Sequence, residues 1–165
     1  MEDIQIKSDL IEQLIKISKE AGKAILEVYN TNFDYQIKED LSPLTKADTL
    51  SHNIICERLK ILTPNIPILS EEDSDIPFSI RSLWKQYWLV DPLDGTKEFV
   101  KRNGEFTVNI ALIYNGNPIM GVIYVPVKEE LYFAMEGLGS YKIKINSIIS
   151  DLDDLIIAAE KLPID

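Results

Sequence analysis

Residues 88–99 read Trp-Leu-Val-Asp-Pro-Leu-Asp-Gly-Thr-Lys-Glu-Phe, and they carry more structural information than any other part of the chain. A short apolar run, typical of a buried strand, ends in the two carboxylates Asp91 and Asp94. Gly-Thr follows at once, and neither Pro nor Gly occurs in the next several residues. This order predicts a strand over residues 87–90, then a tight acidic turn, then the start of a helix.

The acidic turn has the chemistry of a cation site. Pro92 locks its own φ, so Asp91 and Asp94 can point at one place, where the peptide oxygen of Leu93 is free to join them. Gly95 lets the backbone approach a ligand closely, and the amides after it lie at a helix N-terminus, which favours a phosphate. Hard oxygen ligands beside a phosphate site favour Mg²⁺ over Zn²⁺.

Two more carboxylates stand at the ends of predicted elements. Asp48 lies where a second helix is predicted to begin, and Glu71 follows a short predicted strand over residues 67–70. Each has a simpler interpretation, because Asp48 could be only a helix cap and the acidic run from Glu71 could be a solvated turn. Asp91 and Asp94 could likewise be only turn formers. The residues alone leave these alternatives open.

The periodicity of apolar residues predicts the fold class. It predicts helices over residues 9–29, with Asp9 and Glu12 as a capping box, and over residues 47–62. Residues 35–44 are predicted to be a hairpin or loop, and residues 74–81 a surface loop. After the acidic turn the period changes to two, and strands are predicted over residues 107–114, 119–125, 131–135 and 140–143. The sequence therefore predicts an α+β fold, with helices packed on an antiparallel sheet.

Composition excludes several classes of protein. The 165 residues are 45% hydrophobic and 27% charged, which is typical of a globular protein, and the net charge of -10 argues against binding of a nucleic-acid polymer. The single cysteine excludes an intramolecular disulfide and fits a reducing compartment. No stretch reaches the roughly 18 apolar residues of a membrane span, and the N-terminus is too polar for a signal peptide. We predict a cytoplasmic location and leave open a peripheral association with the inner membrane.

The stretch Asp-Pro-Leu-Asp-Gly-Thr at residues 91–96 resembles the signature of the lithium-sensitive, Mg²⁺-dependent phosphatases typified by inositol monophosphatase. The continuation at residues 97–99 and 102–113 resembles the CysQ-type 3'(2'),5'-bisphosphate nucleotidases, since inositol phosphatases usually have Asn-Phe after Asp-Gly-Thr. The similarity runs from the first helix to about Gly139. It implies removal of the 3'-phosphate from adenosine 3',5'-bisphosphate, with an inositol or sugar phosphate as the alternative substrate.

The resemblance also implies roles for the residues named above. The implied Mg²⁺ ligands are Glu71, Asp91, the Leu93 carbonyl and Asp94. The implied catalytic residues are Glu71 and the two that would orient the attacking water, Asp48 and Thr96. The implied phosphate-binding groups are Asp94 and the amides of Gly95 and Thr96.

Other side chains near these positions have more ordinary interpretations. Cys56 and the single histidine, His52, are predicted to pack in or beside the second helix. The aromatic residues Trp84, Tyr87 and Trp88 could stack on a base, but their spacing favours packing in the core. The basic residues Lys97, Lys101 and Arg102 could contact a second phosphate or could be solvated charges.

Members of this family carry a further C-terminal half, with a Trp-Asp motif that supplies another metal ligand. We therefore expect residues 1–150 to form the metal- and phosphate-binding domain, and residues 151–165 to begin a truncated second domain. The apolar run over residues 155–159 is predicted to be its first strand, left without a partner. The small phosphate ester is the expected binding partner. The chain could also self-associate, assemble with a separately encoded C-terminal half, or be an inactive remnant.

Overall fold

The computed structural model describes residues 2–31, 43–73, 75–145 and 152–163. The helices are α1 (Glu2–Tyr29), α2 (Pro43–Leu62), α3 (Phe78–Arg81), α4 (Thr96–Lys101) and α5 (Leu152–Ala158). The strands are β1 (Ile68–Ser70), β2 (Gln86–Asp94), β3 (Thr107–Tyr114), β4 (Asn117–Val125), β5 (Glu130–Met135), β6 (Gly139–Lys144) and β7 (Glu160–Lys161).

The described strands form one seven-stranded sheet in which the strands follow chain order. Only β1 and β2 are parallel, and every other neighbouring pair is antiparallel. A parallel pair needs a long crossover, which residues 71–85 with α3 provide. Helices α1 and α2 contact each other, and both contact the sheet. The predicted α+β fold is confirmed.

An aromatic cluster joins α4 to α1 and thereby holds the start of α4 in place. The ring centroids of Tyr29, Phe99 and Phe106 lie 5.0–5.4 Å apart, and Phe99 and Phe106 are fully buried. Arg102, just after α4, donates hydrogen bonds to the carbonyls of Tyr29 and Thr31. Arg102 therefore has a structural role. Whether Lys97 and Lys101 contact a second phosphate or are solvated charges is not decided.

Both long helices begin earlier than the sequence predicted. Helix α1 begins at Glu2, so Asp9 lies inside it and the predicted capping box is wrong. Helix α2 begins at Pro43, because proline suits a first helical turn. Asp48 therefore lies in the second turn of α2, and the interpretation of Asp48 as a helix cap is wrong. The predicted hairpin or loop over residues 35–44 lies almost entirely outside the described residues.

Two shorter segments also differ from the prediction. Residues 78–81 form a one-turn helix within the predicted loop. The run over residues 155–159 is not an unpaired strand, because residues 152–158 form α5 and β7 then pairs with β6. Leu152 and Leu155 are buried against the core, and the Leu152 amide donates a 2.8 Å hydrogen bond to the Glu12 carboxylate. Assignment of residues 151–165 to a second domain stays a prediction.

Among the described residues, no helix has both the length and the apolar character that crossing a membrane requires.

Candidate active site

The parallel pairing of β1 and β2 brings the first two carboxylates together. Ser70 pairs with Val90, so the residues that follow them, Glu71 and Asp91, leave the same edge of the sheet side by side. The Glu71 amide donates a 3.0 Å hydrogen bond to the Val90 carbonyl, which continues the ladder one step beyond β1. The sheet itself therefore places Glu71 next to Asp91.

The acidic segment is a bulged strand end and not the predicted tight turn. Strand β2 continues to Asp94, with Asp91 opposite Asn109, Asp94 opposite Thr107 and a register shift between the two pairs. An advance of three residues along β2, from Asp91 to Asp94, thus corresponds to an advance of only two residues along β3. One extra residue in one strand is the geometry of a β-bulge. Bulges redirect side chains, and here Asp94 accepts a 3.2 Å hydrogen bond from the Asn109 amide group.

Helix α2 supplies the third side of the site. The buried Ser51 hydroxyl donates a 2.7 Å hydrogen bond to the carbonyl of Pro92, which ties α2 to the bulge. Asp48, three residues before Ser51, is half-buried on the same part of α2. The carboxyl group of Asp48 lies beside that of Glu72 and within the electrostatic field of Glu71 and Asp91.

We define the carboxylate cluster as Asp48, Glu71, Asp91 and Asp94. Burial and the neighbouring charges raise the pKa of Asp48 and of Asp91. Burial, followed by the charges of Glu71 and Asp94, raises the pKa of Asp91 to about 7. Burial, followed by the neighbouring carboxyl group of Glu72, raises the pKa of Asp48 to about 7. The metal-free cluster therefore holds protons near neutral pH that isolated carboxylates would lose.

Three oxygen atoms in the site are buried and, among the described residues, have no hydrogen-bond partner. They are Oδ1 of Asp48, Oδ1 of Asp91 and Oδ1 of Asn109. A buried acceptor without a partner costs about 1–3 kcal/mol, so such atoms need an explanation. A bound divalent cation would coordinate carboxylate oxygens and offset their repulsion. The donor set consists of hard oxygens, which fits Mg²⁺.

Helix α4 starts directly after the bulge, as the sequence predicted. Gly95 is its N-cap residue, with φ of 94°, and no side chain caps the helix. The first amides of a helix have no acceptor within the helix and so can face a ligand. Thr96 is exposed at this position, one residue beyond Asp94. The roles of Gly95 and Thr96 in binding phosphate and orienting water stay predictions.

The structure brings together all four predicted acidic side chains and adds three residues that the sequence reasoning missed. These are Glu72, which lies beside Asp48, Asn109, which donates a hydrogen bond to Asp94, and Ser51, which donates one to the Pro92 carbonyl. Asn109 did carry a signal, since it is a lone amide between the apolar Val108 and Ile110 of β3.

The packing predictions are confirmed for Cys56, His52 and Trp88, whereas Trp84 and Tyr87 are only half-buried and lie outside the core. Cys56 is 5% exposed, and burial, followed by the charge of Asp73, raises the pKa of its thiol to about 11. His52 packs α2 against β1, with Nδ1 2.9 Å from the Ser70 hydroxyl oxygen. Trp88 is fully buried, and its indole N–H donates to the Thr63 hydroxyl at 2.8 Å.

Comparison with known proteins identifies the family. A family model described as the inositol monophosphatase family matches residues 6–158. The chain belongs to this family. It is 53% identical over 130 residues to the 3'(2'),5'-bisphosphate nucleotidase CysQ of Salmonella typhimurium, covering 78% of this chain and 52% of that protein. To the protein of the same name from Buchnera aphidicola it is 44% identical over 158 residues, covering 90% of this chain and 59% of that protein.

Solved structures give the same result. The crystal structure of CysQ from Bacteroides thetaiotaomicron superposes with a TM-score of 0.83 and 44% identity, covering 96% of this chain and 59% of that one. An inositol monophosphatase from Anabaena is more distant, with a TM-score of 0.65 and 26% identity over 86% of this chain and 47% of that one. The family and the CysQ-type resemblance are thus confirmed, and the chain spans about half the length of the curated relatives it matches first.

The raised pKa values predict how pH affects the stability of the metal-free chain. Asp48 and Asp91 have pKa values of about 7 in the folded protein, whereas unfolded aspartates titrate near 3.9. The folded chain therefore binds more protons between these values, and its free energy of unfolding falls as pH rises through that window. In the presence of a chelator, we expect a melting temperature several degrees higher at about pH 5 than at about pH 8.

The control for this effect is a double variant, Asp48→Asn with Asp91→Asn, which removes both titrating groups. Its melting temperature should depend less on pH than that of the parent. A parent chain that becomes more stable between about pH 5 and about pH 8 would contradict the prediction.

Proposed function

We propose that this chain forms the metal- and phosphate-binding part of a Mg²⁺-dependent phosphatase that acts on adenosine 3',5'-bisphosphate. The observation that carries the proposal is the carboxylate cluster, with the raised pKa values of Asp48 and Asp91 and their buried oxygens, for which the described part of the chain offers no hydrogen-bond partner. Members of the inositol monophosphatase family are metal-dependent phosphatases, and the nucleotidase relatives at 41–53% identity favour a nucleotide substrate. A cytoplasmic location, with or without peripheral contact with the inner membrane, stays a prediction.

The proposed roles are those that the resemblance to the family implies for these residues. Glu71, Asp91, the Leu93 carbonyl and Asp94 would hold Mg²⁺, which when bound lowers the pKa of water and neutralises charge on the leaving oxygen. Asp48 and Thr96, with Glu71, orient the attacking water. Asp94 and the amides of Gly95 and Thr96 hold the phosphate. The site offers position and charge and needs no covalent nucleophile.

The face of the sheet next to the site has no cover among the described residues. A cavity of about 1050 Å³ runs from Asp91 and Asn109 across an apolar surface that includes Leu89, Ala111 and Ile123. Leu89 is 44% exposed and Ile123 is 46% exposed. A large exposed apolar patch of this kind marks a binding surface. We propose that a C-terminal half covers it and completes the metal shell, and self-association through this face is the alternative.

A phosphate-release assay on the purified chain tests the proposed function. With Mg²⁺, we expect more phosphate from adenosine 3',5'-bisphosphate than from inositol 1-phosphate, with inhibition by Li⁺. Asp48→Asn should abolish this release without loss of helix content, whereas Asp153→Asn, an exposed change in α5, should not affect it.

The assay also distinguishes the alternatives. Preference for inositol 1-phosphate would favour the inositol or sugar phosphatase. No release from either substrate, while a complete relative is active in parallel, would favour the inactive remnant or a missing second half. Full activity of Asp48→Asn would remove Asp48 from the proposed mechanism.

A further inference from the structure

A second group of metal-binding side chains lies outside the carboxylate cluster. His52 and Cys56 belong to α2, and Asp73 follows β1. One ligand atom from each of the three lies within 4.8 Å of those of the other two. The trio combines an imidazole nitrogen, a thiol sulfur and a carboxylate oxygen, a donor set unlike the all-oxygen set of the cluster.

The fold brings these three side chains to one place for separate reasons. His52 and Cys56 are four residues apart on α2 and therefore share one face of the helix. Asp73 reaches the same face because the parallel pairing of β1 with β2 fixes the chain that leaves β1. The Asp73 amide donates a 3.2 Å hydrogen bond to the Ser70 carbonyl, which turns this segment back towards α2.

The separations within the trio are close to those between ligands of a shared ion. Cys56 Sγ lies 3.8 Å from His52 Nδ1, and Asp73 Oδ2 lies 3.8 Å from His52 Nε2. A nitrogen–oxygen separation of 3.8 Å is too long for a hydrogen bond. Ligands around a tetrahedral zinc ion, at bond lengths of 2.0–2.3 Å, lie roughly 3.5 Å apart. Small side-chain movements would therefore let one ring nitrogen, the thiolate and the carboxylate share an ion.

The surroundings of the trio suit such an ion. Cys56 is buried, the His52 side chain is 16% exposed and the Asp73 side chain is 56% exposed. An ion can therefore enter from the Asp73 side, where water can complete the coordination. The buried Ser70 hydroxyl lies 2.9 Å from His52 Nδ1 and fixes the orientation of the ring, which leaves Nε2, on the Asp73 side, as the nitrogen that can bind the ion. Hydrogen bonds of this kind orient histidine ligands in metal sites.

We propose that His52, Cys56 and Asp73 form a binding site for a borderline-soft transition metal ion such as Zn²⁺, separate from the Mg²⁺ site. Sulfur and imidazole ligands favour Zn²⁺, whereas Mg²⁺ prefers oxygen, so the two sites select different ions. Binding converts the Cys56 thiol to a thiolate and releases its proton to solvent.

Cobalt provides the test, because Co²⁺ substitutes for Zn²⁺ and gives a near-ultraviolet charge-transfer band when a thiolate binds it. We expect Co²⁺ to bind the metal-free chain with this band, Zn²⁺ to abolish the band, and excess Mg²⁺ to leave it unchanged. Cys56→Ser should eliminate the band. Asp73→Asn should weaken Co²⁺ binding by at least about tenfold, since even outer-shell changes in metal sites commonly cost 10–100-fold.

Two controls keep the result independent of the proposed phosphatase. Asp91→Asn alters the Mg²⁺ site and should leave the charge-transfer band intact. Asp73 is exposed, so Asp73→Asn tests the site even if Cys56→Ser does not fold. Absence of the band from folded parent chain, its survival in Cys56→Ser, or unchanged Co²⁺ affinity in Asp73→Asn would each overturn the proposal.

Discussion

Replacement of Asp91 and Asp94 together by asparagine should abolish Mg²⁺ binding and, at about pH 8, stabilise the metal-free chain by about 1–2 kcal/mol. The two effects have a common origin, because the carboxylates that would hold the cation are partly buried and repel one another without it. Burial and the charges of Glu71 and Asp94 raise the pKa of Asp91 to about 7. The stabilisation is smaller than this pKa shift implies, since Asp91 is only half-buried and solvent screens its charge.

Titration calorimetry with Mg²⁺ and thermal melting in chelator measure the two effects separately. The parent chain should bind Mg²⁺, and the double variant should not bind it. Asp153→Asn, an exposed neutralisation in the first turn of α5, should leave Mg²⁺ affinity unchanged and should not raise the melting temperature, since an acidic residue stabilises a helix N-terminus. Unchanged Mg²⁺ affinity in the double variant would exclude both residues as ligands, and a lower melting temperature would contradict the repulsion argument.

The sequence predicted those parts of the fold that depend on local periodicity. The alternating strands on either side of Asn115-Gly116 and the apolar faces of α1 and α2 are examples. It did not predict the bulge at Asp91–Asp94, because only the pairing with β3 determines where the register shifts. It also mistook α5 for a strand. Two β-branched residues, Ile156 and Ile157, favoured that interpretation, whereas packing of Leu152 and Leu155 against the core favours the helix.

The candidate site, like the fold, could be predicted only where local sequence determines it. Its acidic side chains could be found because each ends a predicted element or belongs to a recognisable motif. Their partners could not, because those contacts join residues far apart in the chain. The hydrogen bond from Ser51 to the Pro92 carbonyl spans 41 positions, and the bond from Asn109 to Asp94 spans 15. The trio of His52, Cys56 and Asp73 was missed for this reason too, since His52 and Cys56 were each interpreted alone as packing residues.

Gly95→Ala should destabilise the chain by roughly 3 kcal/mol, because two separate costs meet at this residue. Gly95 has φ of 94°, a conformation that costs a residue with a side chain about 1–2 kcal/mol. A Cβ added there would also lie 3.1 Å from the Glu105 carbonyl oxygen and 3.1 Å from Phe106 Cα. Both contacts are with backbone, which cannot rotate away as a side chain can.

Gly116→Ala is the matched control that separates these two costs. Gly116 has φ of 79°, but a Cβ there would meet nothing within 4 Å, so only the conformational cost of about 1–2 kcal/mol applies. The free energy of unfolding of each variant is measured with denaturant, and the difference between the two losses gives the cost of the close contact at Gly95. A larger loss at Gly95 would mean that packing of the bulge against residues 105–106 requires glycine, whatever the ligand. Equal losses of stability in the two variants would show that the backbone around Gly95 adjusts to a Cβ. The remaining physical reason for glycine at this position would then be the open space that a phosphate needs at the start of α4.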